Sequence, residues 1–340
     1  MLFRRPVITA LNSHMSIFSG EARAGSKVTA LAAGSALALL LMAGGCVASS
    51  AKPRGDIVID GKNVHPESIT SLADGTVITG SLGGTIYRAG PQENVAKPWI
   101  VPDAQNELLA VFGVLADERS RTLWLCSVPN PFGPPKADAV SSLMAFDLGT
   151  GQRKGVYPLP TPGPVCNDMT VGADGSVYAA DTANGRILKL VPGASALTLW
   201  GEGEPLKGID GIAFDGSGVL YVNIVTRGAL IRVETQADGT MGALTELTLS
   251  QPISGPDGMR LIAGNRFLLA EGTGGRVDEV TINGDDATIR VLREGLDSSP
   301  GVTLVGDTAY ATEGKIGYLI DPKRRGQDPG TFRAVAIPLR

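Results

Sequence analysis

One layout is written into this chain several times over. Residues 167–190 (NDMTVGADGSVYAADTANGRILKL), 210–233 (DGIAFDGSGVLYVNIVTRGALIRV) and 257–280 (DGMRLIAGNRFLLAEGTGGRVDEV) each open on a polar residue and continue as an alternating apolar stretch. A Gly-containing turn, a strongly β-prone run, a second Gly turn and a last apolar strand follow. The same order recurs at residues 67–88 and 300–319. It recurs more loosely at 110–146, where the Pro-rich insertion PNPFGPPKADAV (Pro129–Val140) interrupts it. Successive units begin about 45 residues apart, the length of a four-stranded meander.

A single meander of period 2 cannot bury both of its faces. Several of them packed radially can, and the repeat therefore predicts an all-β fold, a six-bladed β-propeller of four-stranded antiparallel blades. Six equal meanders fit poorly with the Greek-key connections of a sandwich, the rival architecture. Composition agrees: 45 Gly and 22 Pro among 340 residues supply many turns, and 43% hydrophobic residues supply a core. The propeller should occupy residues 56–340, with Asp56–Ile59 and Phe332–Ile337 helping to close the ring.

The first 46 residues read as a leader. Val28–Met42 is uncharged and rich in Ala and Leu; Arg23 and Lys27 precede it, and Gly44-Gly45-Cys46 follow. A basic region, a short apolar run and small residues describe a secretory signal. Cys46 after Ala43-Gly44-Gly45 is similar to a bacterial lipobox, which makes it the candidate lipidation site and residues 47–55 a flexible tether. Cleavage without lipid and a retained anchor helix are the alternatives, and Met15 is a second candidate start. The expected location is the bacterial periplasm or cell envelope, with membrane contact only through the lipid anchor. Loss of the leader removes four basic residues and one acid from a chain of net charge −4, leaving a more acidic remainder. That balance argues against nucleic acid as a partner. Cys126 and Cys166 then form an even pair in an oxidising compartment, a candidate disulfide, with two buried thiols as the alternative.

Innermost strands of a propeller start at the mouth of the central channel. The residues that open the units are Glu67, Asn167, Asp210 and Asp257, none of them apolar. Taken singly, Asp or Asn before Gly is an ordinary turn residue. Taken together at one repeat phase, they predict four oxygen donors converging on one divalent cation, Ca²⁺ first, with Mg²⁺, Mn²⁺ or Zn²⁺ as alternatives. Clustered carboxylates without a cation would raise one another's pKa.

The motifs PES, CNDM, YAADT, GIDGIAF and GPDGM, in this order over roughly residues 64–320, resemble the senescence marker protein/gluconolactonase/luciferin-regenerating-enzyme family and, more distantly, the paraoxonase and strictosidine synthase-like propellers. The resemblance implies a channel metal and, often, lactone hydrolysis. It implies Glu67 as a ligand, Asn167 as a ligand or a substrate and water contact, and Asp257 as a ligand and general base. Asp210 stands where the family usually has Asn, adding negative charge. Val165 stands where its enzymes often have Arg, which argues against acidic sugar lactones. Asp168 either contacts the substrate or metal shell or caps a turn. His65 is a candidate base at the mouth, against the ordinary reading of a solvated loop residue. Glu271, Glu313 and the run Lys323-Arg324-Arg325 read as solvated.

No serine-hydrolase elbow, P-loop, dinucleotide fingerprint or zinc spacing is present in the sequence. The functional expectation is a metal-dependent hydrolase of a small lactone or ester. A non-catalytic propeller binding a ligand or protein with a structural metal is the alternative, and a lyase or condensing role of strictosidine synthase type is a third. The sequence leaves the oligomeric state open.

Overall fold

The computed structural model describes residues 54–339 except Pro135 and Ala137. The leader, Cys46, both candidate starts and residues 47–53 of the tether lie outside the described residues. The described residues are all-β, with only a 3-10 turn at Glu204–Leu206 and one short helix, α1 (Gly317–Ile320), among them. Strand β1 (Ile57–Ile59) precedes the first meander, β2 (Pro66–Ser71), β3 (Val77–Ser81), β4 (Ile86–Ala89) and β5 (Val95–Ile100). The second meander is β6 (Ala110–Asp117), β7 (Thr122–Val128), β8 (Ser142–Asp147) and β9 (Arg153–Pro158). The third is β10 (Cys166–Val171), β11 (Val177–Asp181), β12 (Arg186–Leu190) and β13 (Thr198–Glu202). The fourth is β14 (Ile209–Phe214), β15 (Leu220–Ile224), β16 (Ala229–Thr235) and β17 (Met241–Glu246). In the fifth, β19 (Pro256–Ala263), β20 (Arg266–Glu271), β21 (Arg276–Asn283) and β22 (Asp286–Arg293) gain a short parallel edge strand, β18 (Thr248–Leu249). The chain ends with β23 (Val302–Val305), β24 (Thr308–Thr312) and β25 (Phe332–Pro338).

Four of these meanders are separate antiparallel sheets. The remaining strands form one eight-stranded sheet in the order β2-β3-β4-β5-β1-β25-β24-β23. Its two halves meet where β1 pairs in parallel with β5, and β1 also pairs antiparallel with β25. The N-terminal strand thus completes a sheet begun by the C-terminal ones. Arg54, just before β1, is already pinned: it donates to the carbonyls of Gly75 (2.8 Å) and Glu93 (3.1 Å) and stacks over the Tyr310 ring.

Each meander turns where its sequence supplies turn chemistry. At the β10–β11 turn Gly175 takes φ +83°, and Asp174 accepts from the backbone and hydroxyl of Ser176. Strands such as β11 (VYAAD) and β15 (LYVNI) are buried along their whole length, because each sheet is packed on both faces. The core therefore lies in layers between neighbouring sheets. Tyr178 and Ile187 of the third pack with Ile212 and Val222 of the fourth, and Tyr221 and Leu230 of the fourth pack with Phe267 and Val280 of the fifth. Ile57, Phe332 and Tyr310 pack with Ile69 and Val77, so the last layer joins the end of the chain to its beginning. The first strands follow the same circuit: β2 touches β6, β6 touches β10, and so on through β14, β19 and β23 back to β2.

Two devices fasten the structure, one between neighbouring sheets and one within a sheet. Cys126 of β7 and Cys166 of β10 form a disulfide between the second and third sheets, with Cα atoms 5.2 Å apart and a sequence separation of 40. The second is a repeated acid–arginine clasp. Asp181 binds Arg186 across a Gly turn and accepts from the Val165 backbone N–H. Glu271 likewise binds Arg276 and accepts from the Ser254 N–H, with side chains 2% and 18% exposed. The expectation that Glu271 is solvated is thus corrected: the arginine five residues on folds back over it. Arg324 is corrected in the same way, since it pairs with Asp297 and lies over the Tyr318 ring. Glu313 reaches Arg333 at 3.5 Å and is largely covered.

Beside the second clasp, Asp278 is fully buried, with Oδ1 3.3 Å from Arg276 Nε and Glu271 close by. Burial first, and Glu271 next, push its pKa up to about 8 despite Arg276. The folded protein therefore binds this proton more tightly than the unfolded chain does. The stabilisation is complete below the unfolded pKa of about 3.9 and is lost as pH rises through about 8. Asp278→Asn keeps the neutral shape; its unfolding free energy in denaturant titration should exceed the parent's by a margin that grows from pH 5 to pH 9, reaching on the order of 2–4 kcal/mol. Cys126→Ser/Cys166→Ser should lose about 2–4 kcal/mol in denaturant titration, and reductant should leave that double variant unchanged while lowering the parent.

Candidate functional site

Five first strands share one irregularity. Pairing with the second strand slips between Pro66 and Ile69, Val111 and Gly113, Cys166 and Met169, Ile209 and Ile212, and Pro256 and Met259. A bulge breaks the alternation and re-aims the side chains within it. The residues caught in these bulges include Glu67, Phe112, Asn167, Asp210 and Asp257. One repeated backbone feature thus turns one residue per sheet toward the axis.

The glycines after these residues answer to packing rather than to turns. A Cβ on Gly211 would lie 2.2 Å from the Asp257 carbonyl, and one on Gly113 2.4 Å from the Asn167 carbonyl. Gly258 donates its N–H to the Pro300 carbonyl at 2.9 Å, and Gly301 lies against Glu67 and Ser68. Neighbouring first strands therefore approach so closely that only glycine fits between them. The reading of Asp210-Gly211 and Asp257-Gly258 as turn pairs is corrected by this: both lie inside strands.

Asn167 donates its amide N–H to Asp210 Oδ2 at 2.7 Å, and Asp210 is also hydrogen-bonded to Asp257. The second Asp210 oxygen, Oδ1, is buried with no hydrogen-bond partner. Asn223 braces the group: it donates to the Asp257 carbonyl and accepts from the Gly211 N–H. Burial, reinforced by Asp210 and Asp168, pushes the Glu67 carboxyl well above the usual range. Burial and Asp168 do the same for Asp210, partly offset by its bonds to Asp257 and Asn167. Asp257 is raised by burial, Asp210, Glu67 and Asp168. These carboxylates share one low-dielectric place and repel one another. Among the described residues, no group of three or more His, Cys, Asp or Glu side chains is arranged, as it lies, to hold a metal ion.

Asp168 is taken up by a residue that the sequence reading passed over. Arg260 of β19 reaches across to bind both of its oxygens, at 2.6 and 3.0 Å, and donates to the Val114 carbonyl of β6 at 3.2 Å. One guanidinium thereby ties three sheets together. Among alternating strand residues Arg260 looks like a surface position, and only its place one turn of the alternation beyond the Asp257 bulge hints otherwise.

Glu67 and Asp257 line a cavity of about 420 Å³, while Asp210 and Asn167 are buried more deeply. Its walls include Phe112, Phe132, Val225, Thr273, Ile316 and Ile320. His65 is not among them. It lines an adjoining cavity of about 670 Å³ that shares Leu82, Pro131, Phe132 and Ile320 with the first. The expectation of a solvated His65 is corrected: it is 4% exposed, its Nδ1 bonds the Gly314 carbonyl at 3.0 Å, and its ring meets Phe332 edge-on. Burial lowers its pKa, so it is neutral at pH 7. Phe112 was missed because an apolar residue in an apolar strand carries no signal; its alignment with Glu67 and Asn167 in the repeat was the available clue.

Comparison with known proteins places this geometry. A family model described as "Strictosidine synthase-like, N-terminal" matches residues 56–89. No curated protein matches the chain. Among solved structures, the chain is similar to a protein assigned as a gluconolactonase (TM-score 0.58, 17% identity, 84% of this chain and 93% of that one). It is similar to a luciferin-regenerating enzyme (TM-score 0.59, 11% identity, 84% and 95%). It is also similar to a catalytically inactive virginiamycin B lyase from Staphylococcus aureus with quinupristin (TM-score 0.57, 15% identity, 83% of each chain). At these identities the likeness shows the β-propeller fold alone. The family-model match, confined to residues 56–89, points to the strictosidine synthase-like propellers, the more distant of the resemblances carried by the sequence motifs.

The crowding at the axis gives a direct test. Gly211→Ala places a methyl group against the Asp257 carbonyl and the Asn223 amide. It should lose about 1–3 kcal/mol of stability in denaturant titration, whereas alanine at Gly218, whose Cβ would meet nothing within 4 Å, should lose less despite its φ of +90°.

Proposed function

We propose that this chain is an exported six-bladed propeller that hydrolyses a small lactone or ester at the mouth of its central channel, with a divalent cation held by the channel carboxylates. The count of six follows if the eight-stranded sheet is read as two blades, β2-β3-β4-β5 and β23-β24-β25-β1, fused along their outer edges. The circuit of first strands supports that reading. Export, lipidation at Cys46 and a place in the bacterial envelope follow from the leader sequence. No helix of the described residues is long and apolar enough to cross a membrane.

The observation that carries the hydrolase reading is the cavity itself. Carboxylates from two sheets, Glu67 and Asp257, line a cavity of ligand size rather than being sealed under a plug. The donor set fits a hard cation in its chemistry: Glu67, Asp210, Asp257 and Asn167 offer oxygen alone, and Asp210 Oδ1 has no hydrogen bond to lose. When bound there, the ion would polarise the ester carbonyl and stabilise the oxyanion. Ca²⁺ suits such ligands best, with Mg²⁺, Mn²⁺ and Zn²⁺ as alternatives.

The chain's own part is proton transfer and orientation. Asp257, which lines the cavity, takes a proton from the attacking water. The water oxygen bonds to the carbonyl carbon, the ring or ester C–O bond breaks, and the departing oxygen receives that proton. The product is a hydroxy acid, or an acid and an alcohol. Asn167 and Asn223 hold Asp210 and the Asp257 backbone in place. His65 lies beside, not within, this cavity, and takes no step. Asp168, neutralised by Arg260, takes none either.

A non-catalytic propeller with a structural cation is the second reading. It is favoured by the burial of Asp210 and Asn167, which do not line the cavity that Glu67 and Asp257 reach. The two separate in one experiment. Protein stripped with a chelator should melt lower, regain stability with Ca²⁺, and hydrolyse δ- and γ-lactones only when reloaded. Asp257→Asn should lower kcat by about 10²–10⁴ while its melting still responds to Ca²⁺. Full turnover by stripped protein overturns the metal-dependent mechanism, and a Ca²⁺-stabilised protein inert to every lactone leaves the binding role.

A further inference from the structure

The two longest connections between second and third strands both reach the candidate cavity. One joins β7 to β8 and carries Pro131 and Phe132. The other joins β24 to β25 and carries Ile316, Gly317 and Ile320. Phe132 is 43% exposed and Ile320 53% exposed, although both are large apolar residues, and the two flank the same opening. Phe112 adds an apolar side chain from the bulge of β6, at the phase where other sheets place Glu67 or Asn167.

Charge and hydrogen-bonding capacity around the cavity are lopsided. Among the described residues that line it there is no Lys, Arg or His. The hydroxyl-bearing side chains are Thr273 and Ser298, and the carboxylates are Glu67, Asp257 and Asp297. Asp297 is already engaged by Arg324, whose guanidinium is also stacked on Tyr318. An anionic substrate would meet carboxylates with no cationic side chain to receive it. A polyhydroxylated ring would find acceptors on the floor, at Glu67 and Asp257, but its outer hydroxyls would lose water against Phe132, Ile316 and Ile320. An aliphatic or aryl substituent would cover Phe132, Ile316 and Ile320 and release the water over them.

We infer that the site accepts uncharged lactones or esters bearing an apolar substituent, and that Phe132 and Ile320, with Phe112 beneath them, set this preference. The inference rests on the hydrolase reading for turnover, but the binding preference is measured independently of it. A cavity of about 420 Å³ holds a five- or six-membered ring with a medium-length chain.

The test uses the whole metal-loaded protein. For δ-lactones with linear alkyl chains of increasing length, kcat/KM should rise about three- to fourfold per methylene until the cavity is full. Glucono-δ-lactone should turn over at least 100-fold more slowly than the best of them. Phe132→Ser and Ile320→Ser should flatten the chain-length dependence, and both exposed positions can lose their side chains without opening the core. In parallel, calorimetry with 2-alkylcyclohexanones, which keep the ring and chain but cannot be hydrolysed, should show affinity rising with chain length. Chain-dependent ketone binding without turnover of any lactone overturns the hydrolase reading and upholds the apolar preference. Faster turnover of glucono-δ-lactone than of the alkyl lactones overturns the preference and leaves the hydrolase reading standing. Ketone affinity that does not change with chain length also overturns the preference.

Discussion

Everything at the centre of this molecule depends on how closely its first strands approach one another. At Gly113, Gly211, Gly258 and Gly301 the backbone of one sheet lies against that of the next, with no room for a side chain. Bulges at the same phase let the strands converge without losing their ladders further out. Convergence has an electrostatic consequence. Residues from distant parts of the chain are forced into one small volume, and the frame around them cannot relax to separate like charges. The raised pKa values of Glu67, Asp210 and Asp257 are the chemical expression of that backbone geometry.

The structure neutralises only part of this charge. Arg260 meets Asp168 with two hydrogen bonds in a nearly buried setting, which is how a buried carboxylate is tolerated. Among the described residues, no comparable arginine serves Glu67, Asp210 or Asp257. The same protein clasps Asp181 with Arg186 and Glu271 with Arg276 farther from the axis. Unpaired acids at the channel mouth are therefore a local exception in a fold that elsewhere supplies a guanidinium to the acids it buries near a sheet end. Such an exception costs stability, and it is the kind of cost found where a site has chemistry to perform.

The sheets were legible in the sequence because a meander of period 2 with Gly turns has few other ways to bury its faces. Glu67, Asn167, Asp210 and Asp257 were legible as a set because repeat phase is conserved by geometry, so residues aligned in the repeat are aligned around the axis. What the sequence hid lies off that phase or lacks polarity. Arg260 reads as one more outward residue on an alternating strand, and only the curvature of the ring brings it to Asp168. Phe112 sits at the right phase with the wrong chemistry to attract notice. Glu271 looked solvated because its partner lies across a turn; the matching spacing of Asp181 and Arg186 carried the information, and it becomes visible only when the two hairpins are compared as packed objects. The fused eight-stranded sheet was half visible. Asp56–Ile59 and Phe332–Ile337 are hydrogen-bonded neighbours, but nothing in the sequence pointed to the parallel pairing of β1 with β5.

Floor and rim of the cavity act on each other. The apolar rim of Phe132, Ile316 and Ile320 stands over a floor that carries Glu67 and Asp257. A carboxylate reachable from the cavity is placed to take a proton from water bound there. The same rim excludes bulk water from whatever is bound, and so strengthens each electrostatic contact made below it. Under the proposed chemistry Phe132 and Ile320 are thus more than a greasy edge: they bear on what reaches the acids beneath them and on how much water accompanies it.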